Sequence, residues 1–275
     1  MRFASLFALA CLVFAGGAHA EPLSVFVTIP PQKYFVEQVG GEHVWVQVMV
    51  GKGQSEEVYE PTPRQLASLA QAQVYFEIGV AFEDVWLDRF TALNPKMRIV
   101  DLTQGIAPLY FARGDVDPHV WTDPGRVKTI AGGIRDALAA LDPAHAVDYA
   151  DNLQRFETEL DDLDREVRGI LKNVAVKKFL VFHPSWGYFA SAYGLEQIPI
   201  ERDGKEPGAK AVAALAVRAR AEGVRLVFVQ RWGSTRPAET IAREIGAEVR
   251  EIDHLAEDYI QNIRRVAQLV ADTAG

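Results

Sequence analysis

Residues 142–173 read DPAHAVDYADNLQRFETELDDLDREVRGILKN, and this stretch decides the architecture. Asp142-Pro143 is a helix-start signal, a capping residue followed by a proline at a position where the missing N–H does no harm. Tyr149, Leu153, Phe156, Leu160, Leu163, Val167 and Ile170 then recur at alternating spacings of four and three. That spacing lays one apolar stripe along a single helix running to Asn173, with no proline inside it. At 1.5 Å per residue, such a helix reaches roughly 45 Å, the length of a whole small domain.

On either side of this helix the chain alternates between strand-like and helix-like runs. Upstream, β-type runs are predicted at 23–29, 44–50, 73–79 and 97–102, with helices near 32–39, 63–70, 82–93 and 122–140. Downstream, strands are predicted at 178–182, 197–201, 225–230 and 248–252, with helices at 185–193, 209–222, 237–245 and 258–271. Most of the upstream strands are continuously apolar or nearly so, as expected when helices cover both faces of a parallel sheet. Eight β/α units raise the possibility of a closed barrel, but barrel crossover helices are much shorter than this central one. A coiled-coil dimer is the other use of such a stripe, and three heptads within an α/β chain argue against it. The fold class that follows is α/β, with two lobes, each a four-stranded parallel sheet flanked by helices, joined by one long rigid helix. The expected division is a leader at 1–20, a first lobe at 21–141, the linking helix at 142–173 and a second lobe at 174–275. A cleft between the strand C-termini of the lobes would then be the ligand site.

Residues 1–20 read as a secretory signal: Arg2, an apolar run from Phe3 to Phe14, and Ala18-His19-Ala20 before Glu21. The single cysteine, Cys11, lies in that run, so the exported chain needs no disulfide. No later run is long and apolar enough to span a bilayer. A formal charge of −8 without a basic patch argues against nucleic acid as a partner.

Two histidines end apolar runs beside a proline and close to a tryptophan: His119 in Asp117-Pro118-His119-Val120-Trp121, and His183 in Phe182-His183-Pro184-Ser185-Trp186. A buried histidine needs a polar partner. Two in equivalent contexts in opposite halves point to a shared ligand. The acidic loop Ser55-Glu56-Glu57-Val58-Tyr59 and the late Ile252-Asp253-His254-Leu255 also follow strands. Imidazole nitrogens and carboxylate oxygens are donors for divalent transition metals. Asp253 alone could equally cap the last helix, and Glu56 and Glu57 could be a solvated loop. His43 and His145 read as surface residues.

Taken together, these stretches resemble the cluster A-I, zinc- and manganese-type, substrate-binding proteins of ABC transporters. The resemblance rests on Gly53-Gln54-Ser55 with Tyr59-Glu60-Pro61, on the stretches around His119 and His183, on Tyr193-Gly194-Leu195, and on Val249 to Leu255. It implies a periplasmic, monomeric, non-enzymatic receptor that holds Zn²⁺ or Mn²⁺ (or Fe²⁺) between its lobes and delivers it to a membrane permease. Carried over position by position, it implies Glu57, His119, His183 and Asp253 as metal ligands. The sequence departs from the family in having Glu56-Glu57 where Pro-His is usual and Asp253-His254-Leu255 where Asp-Pro-Leu is usual. It also has Gln230-Arg231-Trp232 in place of Glu/Gln-Pro-Gln, and it lacks a histidine-rich loop. Two alternatives stay open at this point. One is a secreted metallohydrolase with Glu56 or Glu57 as general base. The other is a degenerate member that binds a chelated metal near Arg231 and Trp232 or regulates a permease.

Overall fold

The computed structural model describes residues 21–201, 205–230 and 235–273. The expected leader, Cys11, Arg231 and Trp232 lie outside them. The first half contributes β1 (Leu23–Val27), α1 (Pro30–Gly40), β2 (Val44–Val48), α2 (Pro63–Leu69), β3 (Val74–Glu77), α3 (Ala81–Leu93), β4 (Arg98–Asp101) and α4 (Pro124–Leu141). Its four strands pair in parallel in the order β2-β1-β3-β4. Between β4 and α4 lies a short antiparallel ribbon, β5 (Leu109–Tyr110) with β6 (Val116–Asp117). The sequence reading did not contain this ribbon, because two-residue strands carry no alternation to detect.

After the connecting helix α5 (Ala146–Leu171), the second half contributes β7 (Lys178–Val181), α6 (Gly187–Ala192), β8 (Glu196–Pro199), α7 (Ala209–Ala221), β9 (Leu226–Val229), α8 (Arg236–Ile245), β10 (Glu248–Glu251) and α9 (Tyr259–Thr273). Its strands pair in parallel in the order β10-β9-β7-β8. Both sheets therefore reverse their winding at an interior point, between β1 and β3 and between β7 and β9. Loops diverge there and leave a crevice at the strand C-termini.

Helix α5 buries Tyr149, Leu153, Phe156, Leu160, Leu163 and Val167 as the spacing predicts. The stripe closes on Leu171 instead of Ile170, one further step of four. The helix proper begins after a 3-10 turn at Pro143–His145, so it holds 26 residues and spans about 39 Å. Asp142 is drawn aside from a capping role: its carboxylate accepts from the Tyr149 hydroxyl at 2.8 Å and meets His145 Nδ1 at 2.5 Å. His43 stacks on His145 with ring centres 3.8 Å apart and pairs with Asp148 at 3.0 Å.

One apolar cluster runs without a break from the first sheet through α4, α5 and α9 to Phe179, Val181, Leu226 and Phe228 of the second sheet. A separate cluster holds α7 and α8 against the other face of that sheet. Helix α9 lies along α5 and reaches the first half: the Tyr259 ring meets Phe35 edge-on at 4.9 Å. Arg264 of α9 pairs with Glu166 of α5, and Lys33 of α1 pairs with Glu257 just before α9. No helix among the described residues is long and apolar enough to cross a membrane.

Candidate metal centre

Four loops converge at the crevice. Glu56 leaves the segment after β2, His119 follows β6, His183 follows β7, and His254 follows β10. All four side chains are buried, and one donor atom from each lies within 4.8 Å of the others.

Each donor is aimed by specific contacts. Asp117 accepts from both the backbone N–H of His119 (3.0 Å) and its Nδ1 (2.7 Å), which turns Nε2 inward. A carboxylate behind a histidine in this way fixes the tautomer and raises ligand basicity. Asp117 is itself pressed from the other half. A Cβ on Gly187 would sit 2.5 Å from Asp117 Oδ2, so a larger residue at the start of α6 would push the Asp117 carboxylate aside. His183 is held through its backbone by the Gln230 side chain, which accepts from its N–H (3.2 Å) and donates to its carbonyl (3.0 Å). Glu201 lies 2.7 Å from His183 Nδ1, so Nε2 of this ring also faces inward. The indole of Trp121 donates to the His254 carbonyl at 2.8 Å, and His254 Nε2 lies 2.7 Å from Glu56 Oε1. Glu56 is fixed by its own carbonyl, which accepts from Phe82 N–H at 3.1 Å.

The inward nitrogens of His119 and His183 are 3.3 Å apart, and His119 Nε2 lies 3.7 Å from Glu56 Oε1. Burial works against the charge of Glu56, but the imidazoles of His254 and His119 outweigh it and hold the carboxyl well below its usual range. Burial likewise opposes a charged His119, yet Asp117 and then Glu56 raise it to about 9. His254 is lowered, by burial first and by repulsion from His119 and His183, against the pull of Glu56. Glu56 Oε2 is buried and has no hydrogen-bond partner among the described residues. A carboxylate oxygen left over beside three imidazoles is the donor chemistry that a divalent transition metal takes.

The structure thus brings His119 and His183 together and leaves Glu57 and Asp253 outside the four-residue cluster. Glu57, whose N–H donates to Ser55 Oγ, lines the cavity beside the cluster but contributes no donor to it. Its side chain is 45% exposed, 3.8 Å from the outward Nδ1 of His183. Asp253 spends one oxygen on Leu255 N–H at 2.8 Å, a local turn contact, and is not among the four clustered donors. The adjacent residues Glu56 and His254 take the inward positions. Two adjacent candidates per loop were visible in the sequence; which of each pair turns inward was not.

Residues 25–273 match the model of the ZnuA family, described as zinc-uptake complex component A, periplasmic. The high-affinity zinc uptake system protein ZnuA of Bacillus subtilis is 25% identical over 253 residues, covering 86% of this chain and 79% of that protein. A crystal structure of a ZnuA superposes with a TM-score of 0.90 at 42% identity, covering 93% of this chain and all of that one. A ZnuA deletion mutant with zinc bound gives 0.89 at the same identity, covering 93% of this chain and 99% of that one. A manganese-bound periplasmic metal-binding protein from Candidatus Liberibacter asiaticus shares the fold, with a TM-score of 0.83 at 20% identity over 92% of this chain and all of that one.

Proposed function

This chain belongs to the ZnuA family, a metal-binding component of metal uptake and not an enzyme, and we propose that it captures one zinc ion through Glu56, His119, His183 and His254. The observation that carries the reading is the buried donor set itself: three imidazole nitrogens and one carboxylate oxygen within 4.8 Å of one another. Zinc prefers four tetrahedral donors of this kind, whereas manganese favours more oxygens and a higher coordination number. The zinc-bound relative at 42% identity supports the same choice. The ligand set expected from the family resemblance is thereby revised at two positions, Glu57 to Glu56 and Asp253 to His254.

Four protein donors leave no open coordination position for a substrate or an attacking water, which sets this site apart from hydrolytic zinc centres. The same saturation disfavours capture of the metal as a chelate. Glu57 and Glu201 line the cavity that opens onto the donors, so the ion would enter past them, and the loaded protein would pass it to an ABC permease from the periplasm. Zinc titration of metal-free protein against a competing chromophoric chelator tests this reading. One equivalent should bind tightly, and His119→Ala and His183→Ala should each lose it while keeping the helical circular dichroism. Undiminished binding in both variants would overturn the assignment.

A further inference from the structure

Glu83 is a buried carboxylate that the metal site does not use. It lies in the first turn of α3, 2% exposed, and among the described residues no cation pairs with it. Its oxygens accept the backbone N–H groups of Ile78, Gly79 and Val80 at 2.6 to 3.1 Å, and the Thr28 hydroxyl. Gly79 takes a φ of 83°, which the turn needs and glycine supplies without strain. Burial pushes this carboxyl up to about 7, against the hydrogen bonds from Thr28, Ile78 and Gly79. A simple helix cap on the surface would do the same local job without burying a carboxylate.

What distinguishes Glu83 is where its partners lead. Residues 51–62, which carry Glu56, form no helix or strand. This segment is fastened where it leaves β2, because Val50 N–H donates to the Thr28 carbonyl at 2.8 Å. It is fastened again at the ligand, because Phe82 N–H donates to the Glu56 carbonyl at 3.1 Å, and the Tyr59 ring packs on Phe82. Glu83 holds both anchors, Thr28 through its hydroxyl and Phe82 through the turn that opens α3.

We propose that Glu83 is the positioning residue of the metal site, locking the Thr28 and Phe82 anchors so that Glu56 is presented at the height of the three imidazoles. The proposal rests on the reading of Glu56 as a ligand. Loss of a group that orients a ligand typically weakens metal binding about 10- to 100-fold. If Glu83 acts through Glu56, that loss should vanish once Glu56 can no longer ligate, because residues of one network are not additive.

The test uses the full chain as Glu83→Gln, Glu56→Gln and the double variant, with zinc affinity by competition and the visible absorption of the Co²⁺-loaded proteins. Four-coordinate Co²⁺ absorbs strongly and loses intensity when water adds to the shell. Glu83→Gln should weaken zinc about 10- to 100-fold and shift the Co²⁺ spectrum in the direction of Glu56→Gln. In the Glu56→Gln background it should cost less than about threefold. Equal losses in both backgrounds, or no loss in the wild-type background, would overturn the role of Glu83 alone. An unchanged affinity and spectrum in Glu56→Gln would instead overturn the reading of Glu56. Should Glu83→Gln fail to fold, Thr28→Val decides. It removes one donor to Glu83 at similar volume and should give a smaller loss that also disappears in the Glu56→Gln background; a loss that persists there refutes the proposal.

Discussion

The adjacent glutamates Glu56 and Glu57 allow a controlled comparison, because the same chemical change is predicted to have very different effects one residue apart. Glu56 is 2% exposed, lies 2.7 Å from His254 Nε2, and has a second oxygen with no partner among the described residues. Replacing it with Gln removes the anionic donor from a shell of four. Since residues that merely orient ligands are worth about 10- to 100-fold, a direct ligand should be worth more than about 100-fold. That is more than about 2.8 kcal/mol at 1.4 kcal/mol per decade. Glu57 is 45% exposed, and its nearest imidazole nitrogen is 3.8 Å away. Exposed ion pairs contribute about 0–1 kcal/mol, so Glu57→Gln should weaken zinc by no more than about fivefold. Competition with a chromophoric chelator at constant ionic strength resolves both figures. A Glu57→Gln loss that matches or exceeds the Glu56→Gln loss would refute the geometry in which Glu56 faces the metal.

Other outcomes follow from the same contacts. His254→Asp exchanges a nitrogen for an oxygen and should narrow the zinc-over-manganese affinity ratio; an unchanged ratio would show that His254 is not in the shell. Because His119 is raised to about 9, zinc binding at pH 7 should expel about one proton, seen by calorimetry in buffers of different ionisation enthalpy. The sign for the metal-free protein is the opposite of an acid's. His119 stabilises it fully below its unfolded value near 6.5, and this contribution fades as pH rises towards 9, so melting should fall over that window. Phe156→Ala removes a ring packed 5.8 Å from Tyr34 and should destabilise the protein by about 3–5 kcal/mol in denaturant unfolding. With one apolar cluster crossing both halves, scattering curves with and without zinc should nearly superimpose while melting temperature rises with zinc. A large contraction would contradict α5 as a rigid element.

The fold was legible in the sequence where physics leaves a periodic trace. The four-and-three spacing from Tyr149 to Val167 marks α5, and apolar runs mark the inner strands β1, β3, β7 and β9, whereas the edge strands β4, β8 and β10 alternate with charged or polar residues. His119 and His183 were legible because apolar runs that end in histidine beside proline demand a polar partner. The choice between Glu56 and Glu57, and between Asp253 and His254, was not. Both pairs sit in irregular loops, where a single contact such as Ser55 Oγ with Glu57 N–H, or Asp253 with Leu255 N–H, sets the direction of a side chain. Glu83 was hidden for a different reason. In sequence it is an ordinary acidic residue in a first helical turn, and only the packing of Thr28 and the Gly79 turn around it reveals its burial.

X-ray absorption at the zinc edge of protein loaded with one equivalent tests the central claim most directly, because imidazole rings leave countable scattering beyond the first shell. Three imidazole nitrogens and one oxygen at about 2.0–2.1 Å are predicted. A shell with two imidazoles and additional oxygens would contradict it and return the site to Glu57 and Asp253.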